Sequence, residues 1–420
     1  MPARTEVSPL SVSAESTEER LPRVIIKSRR AQPFFYRHPW VFAGAVKRVE
    51  GNPSAGDVVD LYSGEGKFIA RGLYNPNSNI RVRLYTWDSA DQLDADFWRA
   101  RIDIAIALRE SIAGSNGKTA SAHSAERLIY SEGDELSGLV VDRYGDWLLV
   151  QFTSLALYER REIILSHLRE RLNPQGIWLR TEKGIREAEG LEIVDGSLDG
   201  TSPPRSLVIE EHGLKFQVDV VEGQKTGTFL DQRDNRVAAA KYMTGRNVLD
   251  VFCYTGGFGI AAIKHGGAQH VTAVDVSEKA LATAAVNAEL NGIADRITFE
   301  KSIAFDYLES AQENDCKFDA VILDPPKMTR NRAGIDKALK GYHSLNRLAV
   351  ERLIPGGILV TNSCSGLVDR DEFAGMLVDV ALRSGRTLQI LESRGQSPDH
   401  PISAFCPETA YLKCFICRVV

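Results

Sequence analysis

The stretch Val248-Leu-Asp-Val-Phe-Cys-Tyr-Thr-Gly-Gly-Phe-Gly259 constrains this chain more than any other. Val248 to Phe252 is a short apolar run, which reads as a fully buried parallel strand. A glycine turn follows, and Ile260-Ala-Ala-Ile-Lys264 opens a helix. The next apolar run, His270 to Val274, ends in Asp275, twenty-five residues after Asp250. That spacing describes a βαβ unit with an acidic residue at the end of its second strand, where a nucleotide ribose hydroxyl is held.

Gly257-Phe-Gly259-Ile-Ala-Ala262 fits the dinucleotide pattern G-x-G-x-x-A, a weak match by itself. Gly259 is expected inside the helix rather than in the turn, and Asp250 would repel a pyrophosphate. S-adenosylmethionine has no phosphate and carries a sulfonium and an ammonium group, so an acidic residue beside the loop suits it. Asp250, Gly256 and Asp275 are therefore expected to line its site. The competing reading has Asp250 only capping the turn.

With 420 residues, 43% apolar and 25% charged, the chain should hold two or three globular domains. No apolar run approaches the roughly 18 residues that span a bilayer. Residues 1–20 are rich in Ser, Glu and Thr and read as a disordered tail, neither signal peptide nor anchor. The six scattered cysteines suggest a reduced, cytoplasmic protein rather than a disulfide framework. Net charge is −5, but residues 21–87 carry eleven Lys/Arg against four Asp/Glu, a balance of +7 that leaves −12 for the remainder. A basic module on an acidic body is an electrostatic footprint for nucleic acid.

Short alternating runs at Arg23–Lys27, Val58–Tyr62, Lys67–Leu73 and Ile80–Tyr85, separated by Gly/Asn/Pro turns, predict a small β-barrel over residues 21–90. Phe34, Trp40 and Phe42 are expected in its core. Lys27, Arg29, Arg30 and Arg37, beside aromatics, are candidates for gripping phosphates and stacking unpaired bases. Residues 91–205 read as an α+β spacer: a helix from Phe97 to about Gly114, a hairpin around Tyr144-Gly-Asp146, and a helix from Leu157 to Leu172. Ser202-Pro-Pro-Arg205 is the expected linker. Residues 206–420 alternate strand and helix, from a strand at Leu214–Val220 to runs at Leu388–Leu391 and Tyr411–Val419, and predict a doubly wound, Rossmann-like α/β domain with ligands at the carboxyl ends of its strands.

Two segments at those strand ends carry chemistry. Asp324-Pro-Pro-Lys327 ends a buried strand, and its prolines hold an extended edge with no N–H to donate. A flipped base could use that edge, with Asp324 bonding its Watson–Crick side; a tight turn with a solvated Asp is the plainer alternative. One strand further on lies Thr361-Asn-Ser-Cys-Ser-Gly366. C5 of cytosine is a poor nucleophile toward a methyl sulfonium until a thiolate adds to C6, so such an enzyme needs a positioned cysteine. Cys364 is the candidate, against the common role of Cys as a small buried hydrophobe. Cys414-x-x-Cys417 is weak as a metal pair, because i and i+3 face opposite sides of a strand.

From about Val24 onward the chain resembles the bacterial ribosomal RNA large subunit methyltransferase I family, cytosine-C5 methyltransferases acting on 23S rRNA. The resemblance rests on Arg37-His-Pro-Trp-Val-Phe42, Glu210-Glu-His-Gly213, Lys225-Thr-Gly227, Leu230-Asp-Gln-Arg233, Phe252 with Tyr254-Thr-Gly-Gly-Phe258, Asp324-Pro-Pro-Lys327 and Ser363-Cys-Ser-Gly366. It implies an RNA-binding PUA domain at 21–90, S-adenosylmethionine as cofactor, and Cys364 with Asp324 as catalytic residues. It further implies a cofactor site drawing on Gln232, Asp250, Phe252, Tyr254, Thr255, Gly256, Gly257, Asp275 and Asp324, with Lys327 among the RNA contacts. The implied partner is 23S rRNA or a precursor of the large ribosomal subunit, with neither membrane nor metal, and a homodimer is left open.

The sequence departs from the family pattern in three places. Ser302 and Ile303 stand where an acidic residue reaches the adenine amine, although Asp306 is nearby. Thr409 and Cys414 replace glycines. Lys327 stands where a different cytosine-C5 family has a second cysteine, so Cys364 would work alone. A guanine-modifying rRNA methyltransferase on the same scaffold, or an RNA-binding assembly factor without activity, are the competing functions.

Overall fold

The computed structural model describes residues 21–115, 124–181, 184–192, 195–198, 200–223 and 227–420. The tail of residues 1–20, most of the polar loop 115–124, and Lys225-Thr226 of the Lys225-Thr-Gly227 segment lie outside the described residues.

Residues 206–420 hold a seven-stranded sheet ordered Ile297–Lys301, His270–Asp275, Asn247–Val251, Phe318–Leu323, Leu353–Ser363, Lys413–Val419, Leu388–Arg394. The first five are parallel. Lys413–Val419 runs antiparallel to both its neighbours, wedged between two strands that precede it in sequence. Buried on both faces, the central strands are mostly apolar: Ala320–Leu323 is entirely so, and Val248–Val251 is interrupted only by the buried Asp250. Ser277 Oγ accepts from Ala280 N at 3.2 Å and starts the helix Glu278–Leu290. The strand order reverses between Asn247–Val251 and Phe318–Leu323, so the crevice above Val251 and Leu323 is the expected ligand position.

The segment foreseen as a strand from Leu214 to Val220 pairs elsewhere. Leu214–Val218 forms a separate two-stranded hairpin with Leu207–Glu211, because His212 and Gly213, both at positive φ, reverse the chain. The hairpin is tied to the helix Glu278–Leu290 through Asn287 Oδ1 and Asn291 Oδ1, which accept from Gln217 N and Lys215 N.

The N-terminal module is a six-stranded sheet ordered Trp40–Phe42, Ile80–Thr86, Phe68–Tyr74, Val58–Tyr62, Arg23–Ile26, Val46–Glu50. Phe34 belongs to its core, as expected. Trp40 and Phe42 do not: Phe42 is 42% exposed, and the Trp40 indole N–H donates to Glu132 Oε1 of the next unit at 2.8 Å. An indole with a polar partner in reach serves better at an interface than in an apolar core. A five-stranded sheet follows (Ala125–Tyr130, Leu139–Tyr144, Trp147–Phe152, Gly176–Leu179, Gly196–Ser197), flanked by the helices Ala95–Ser115 and Arg161–Leu172. Its apolar core also takes in Leu73 and Tyr85 of the N-terminal sheet. The expected Leu157–Leu172 helix is two helices, Leu155–Tyr158 and Arg161–Leu172.

A buried ionic cluster joins the middle unit to the last. Asp399 and His400 are each 2% exposed. Asp399 Oδ2 accepts from Arg127 N at 3.0 Å and lies 3.4 Å from the Arg233 guanidinium, while Oδ1 meets His400 Nδ1 at 2.9 Å. Burial alone would raise the Asp399 carboxyl, but His400, Arg233 and the Arg127 amide together hold it well below the usual carboxylate range. Arg109 donates to Asp399 O at 2.7 Å and pairs with Asp134.

Candidate active site

A cavity of about 520 Å³ opens at the carboxyl ends of Asn247–Val251, His270–Asp275 and Phe318–Leu323. Its wall brings together Gln232, Phe252, Tyr254, Thr255, Gly257, Asp275, Asp324, Lys327 and Cys364, nine of the residues singled out in the sequence.

The loop after Val251 is shaped by unusual backbone. Phe252 and Tyr254 have φ of +65° and +50°, and Gly256 has +84°. Left-handed conformations in bulky residues persist only where surrounding structure enforces them. Here Asp275 does so: its Oδ2 accepts from Tyr254 N at 2.9 Å and its Oδ1 from Ser277 N at 2.8 Å. Cys253 N reaches Val274 O at 3.1 Å. Gly259 lies inside the helix Gly257–Lys264, as expected. A Cβ there would meet Val271 Cγ1 at 3.0 Å and Asp250 Oδ2 at 3.2 Å, so the helix packs closely on the sheet only with glycine.

Asp250 and Gly256 do not reach the cavity wall. Asp250 is fully buried behind the loop, where Oδ2 accepts from Gly259 N at 2.9 Å. Through Oδ2 it fixes the first turn of the helix, while Oδ1 has no partner among the described residues. Burial pushes its carboxyl up to about 7, with Asp324 and Asp275 adding to the rise against the Gly259 bond. Ser302 and Ile303 are likewise off the wall, and Ser302 Oγ donates to Ile303 O.

Sequence reasoning missed the cavity's far side. Glu211, from the Leu207–Glu211 hairpin strand, and Arg236, from the helix Arg233–Ala240, pair at 2.7 Å and both line the wall. Glu210-Glu-His-Gly213 was visible as a motif, but only the hairpin's detachment from the main sheet turns Glu211 inward. Among the described residues Glu211 Oε1 has no partner, although it is buried.

The other rim carries Asp324 and Cys364. Gln232 Nε2 donates to Asp324 Oδ1 at 2.9 Å, and Asn235 Nδ2 fixes Gln232 by donating to its Oε1 at 2.7 Å. The Pro325 carbonyl lies 4.0 Å from Cys364 Sγ, so the Pro-Pro edge faces the thiol. Two contacts lock the two loops in register, and a third braces the cysteine loop. Asn362 Nδ2 donates to Leu323 O at 3.0 Å, Met328 N donates to Ser365 Oγ at 3.1 Å, and the buried Tyr342 hydroxyl bridges Ser363 and Ser365.

The wall suits a cationic nucleoside. Asp275 stands on the wall at the end of its strand, Val276 beside it is 65% exposed and offers an apolar face, and Glu211 presents a buried carboxylate oxygen lacking a donor among the described residues. Such an oxygen is costly unless a ligand's ammonium or N–H reaches it. Asp275→Ala should weaken cofactor binding by about 1–3 kcal/mol, the scale of charge-assisted bonds left unmade. Unchanged affinity in a calorimeter would remove Asp275 from the site.

All five predicted RNA contacts, Lys27, Arg29, Arg30, Arg37 and Lys327, are exposed. Lys27 donates to Gly44 O at 2.8 Å, and Arg37 lies over the Phe405 ring of the last unit at 5.5 Å. Cys414 and Cys417 are buried within the sheet, opposite Asn362 and Leu359. His38, Cys406 and Glu408 also cluster between units. There Trp40 N donates to His38 Nδ1 at 3.3 Å, which leaves Nε2 to carry the proton toward Glu408 Oε1 at 3.4 Å.

A doubly wound sheet with an antiparallel strand inserted near one edge, and a nucleoside cavity at its strand ends, defines an S-adenosylmethionine-dependent methyltransferase. Residues 191–418 match the family of that description, and residues 24–87 match the PUA-like domain. Among curated proteins, "Ribosomal RNA large subunit methyltransferase I" of Photobacterium profundum is 43% identical over 385 residues, 91% of this chain and 96% of its own. The protein of the same name from Klebsiella pneumoniae is 39% identical over 405 residues, 96% of this chain and 100% of its own. The chain belongs to the ribosomal RNA large subunit methyltransferase I family, and S-adenosylmethionine is its cofactor. Among solved structures, a candidate SAM-dependent methyltransferase from Streptococcus mutans superposes with a TM-score of 0.80 at 22% identity, covering 94% of this chain and 99% of that one. A second such structure, a candidate methyltransferase complexed with SAH, gives the same TM-score of 0.80, identity of 22% and coverage of 94% and 99%. They show the shared fold.

Proposed function

We propose that this protein methylates C5 of a cytosine in 23S rRNA, through a covalent bond between Cys364 and C6 of the base. The observation carrying this reading is that Cys364 and Asp324, from adjacent strands, share one cavity wall with the cofactor loop. Bound S-adenosylmethionine supplies an electrophilic methyl group. The chain's own part begins with the Cys364 thiolate adding to C6, which moves the C5=C6 electron pair onto C5 so that C5 can take the methyl group. Asp324, steadied by Gln232, holds the N3/N4 edge. A base, or solvent reaching the site, then takes the C5 proton; that C–H electron pair restores the C5=C6 double bond as the C6–S bond breaks and returns the Cys364 thiolate.

The reading extends to the rest of the chain. Residues 21–90 act as the RNA-gripping module, 91–205 as the spacer and 206–420 as the catalytic unit, in the cytoplasm, on free rRNA or a large-subunit precursor. RNA carrying 5-fluorocytosine at the target tests the chemistry. After methyl transfer fluorine blocks elimination, so the protein should be trapped on RNA in a denaturing gel. No trapped species, together with methylated guanine in mass-mapped rRNA, would transfer the reading to a guanine-modifying enzyme.

The module's charge predicts binding that weakens steeply with salt, because neutralised phosphates release counterions. Since Leu73 and Tyr85 belong to the neighbouring core, the full chain is the right test object. Arg29→Ala with Arg30→Ala should lower the salt slope by about 1–2. An unaltered slope and affinity would remove both from the RNA contacts.

A further inference from the structure

Lys413 is the first residue of the antiparallel strand Lys413–Val419 and stands opposite Ser363 in the ladder. Its side chain turns inward, and the residue is only 3% exposed. All three ammonium protons are committed to carbonyl oxygens: Ser365 O at 2.7 Å, Val368 O at 2.6 Å and Tyr411 O at 2.9 Å. Two of those carbonyls belong to the turn that directly follows Cys364. Among the described residues no carboxylate lies within ion-pair distance of this ammonium. A buried cation without a counterion is expensive, and an apolar residue would fill the space at lower cost.

The charges around it indicate what offsets that cost. Burial lowers the Lys413 ammonium to about 8, and the largest influence raising it again is the Cys364 thiolate. Asp369 and Glu372, at the start of the helix Arg370–Ser384, also raise it, whereas Arg370 lowers it. The Tyr342 hydroxyl hydrogen-bonds Ser363 and Ser365, on either side of the cysteine. Electrostatic coupling is reciprocal: a thiolate that stabilises an ammonium is stabilised by it to the same degree.

We propose that Lys413 is the positioning residue for Cys364, holding the turn that presents the thiol and supplying the buried positive charge that favours its thiolate. This rests on the covalent reading of Cys364 given above. It names what that reading lacks, the group that lets a thiol act as nucleophile near neutral pH. A cysteine with an ordinary pKa of about 8.5 is only a few per cent thiolate at pH 7. Lys413 takes no proton in this step. The thiol proton leaves to solvent or a base before addition, and the ammonium remains hydrogen-bonded to its three carbonyls.

The test reads the thiol directly and needs no RNA. The rate of Cys364 alkylation by iodoacetamide is followed against pH by peptide mass spectrometry. Cys316, the one other cysteine that is not buried, is replaced by Ser. Three forms are compared: wild type, Lys413→Gln, which keeps donors without the charge, and Lys413→Arg, which keeps the charge. The neutral variant should raise the alkylation midpoint by a unit or more, slowing reaction at pH 7 about tenfold, while Lys413→Arg stays within half a unit of wild type. A midpoint unchanged in Lys413→Gln, even with methylation reduced, would assign Lys413 to structure alone and overturn the proposal. If the Gln variant fails to fold, the Arg variant decides, since a midpoint raised by a full unit with the charge retained overturns it equally. Failure of the covalent reading is scored separately, by retained methylation in Cys364→Ser, and leaves the alkylation result readable.

Discussion

Cys364→Ser is expected to lose methyl transfer by roughly three orders of magnitude or more, the scale on which single nucleophiles are missed. The hydroxyl fits the same turn, between Ser363 and Ser365, both of which hydrogen-bond Tyr342. The fold and the cofactor loop should therefore be undisturbed. What changes is chemistry: an alcohol near neutral pH supplies almost no alkoxide, so C6 addition fails and C5 never becomes nucleophilic. The variant should bind S-adenosylmethionine and RNA as wild type does, form no adduct with 5-fluorocytosine RNA and melt within a degree or two of wild type. Retained methylation would end the covalent reading.

Asp399→Ala should destabilise the protein by about 3–5 kcal/mol, the cost of breaking a buried charge cluster by removing one partner. The loss would fall on Arg233 and His400, left charged or unpaired, and on the Arg127 amide that Asp399 accepts from. The sign of its pH dependence follows from the depressed carboxyl. Asp399 binds its proton less readily in the folded state, so its stabilisation is present above the unfolded value near 4 and is lost as pH falls below it. Urea titrations at pH 7 and at about pH 2, well below the unfolded value, should show the difference between wild type and Asp399→Asn shrinking toward the acid end. A difference that is constant or grows would show that the carboxylate is not charged in the native state.

Legibility followed locality. The Val248–Gly259 and Asp275 pattern was readable because strand, turn and helix are contiguous and each limits the next; the placement of Gly259 followed from it. Cys364 and Asp324 were reachable because both close buried strands, and parallel strands bring their carboxyl ends to one rim. Asp250 was aimed at the ligand because its charge suits a sulfonium, but the fourth residue of a five-residue strand lies buried behind the loop, where Gly259 N binds only its Oδ2. Glu211 and Lys413 escaped because their roles depend on non-local events: a hairpin leaving the sheet, and a strand inserted out of order. The assignment of Trp40 and Phe42 to the core failed for a similar reason, since aromatic composition does not say which face a neighbouring unit will cover.

The out-of-order strand has a consequence for the sequence of events during synthesis. Lys413–Val419 fills the slot between Leu353–Ser363 and Leu388–Arg394, yet it emerges from the ribosome after both. A nascent chain extended as far as Arg394 exposes two strand edges that cannot join directly, because the gap between them belongs to a segment not yet made. The thiol's turn is also waiting for the carbonyl partner that Lys413 provides. Completion of the sheet and closure of the turn that follows Cys364 therefore depend on the same last strand, and on the covalent reading proposed above the thiol would be armed only once that strand is in place.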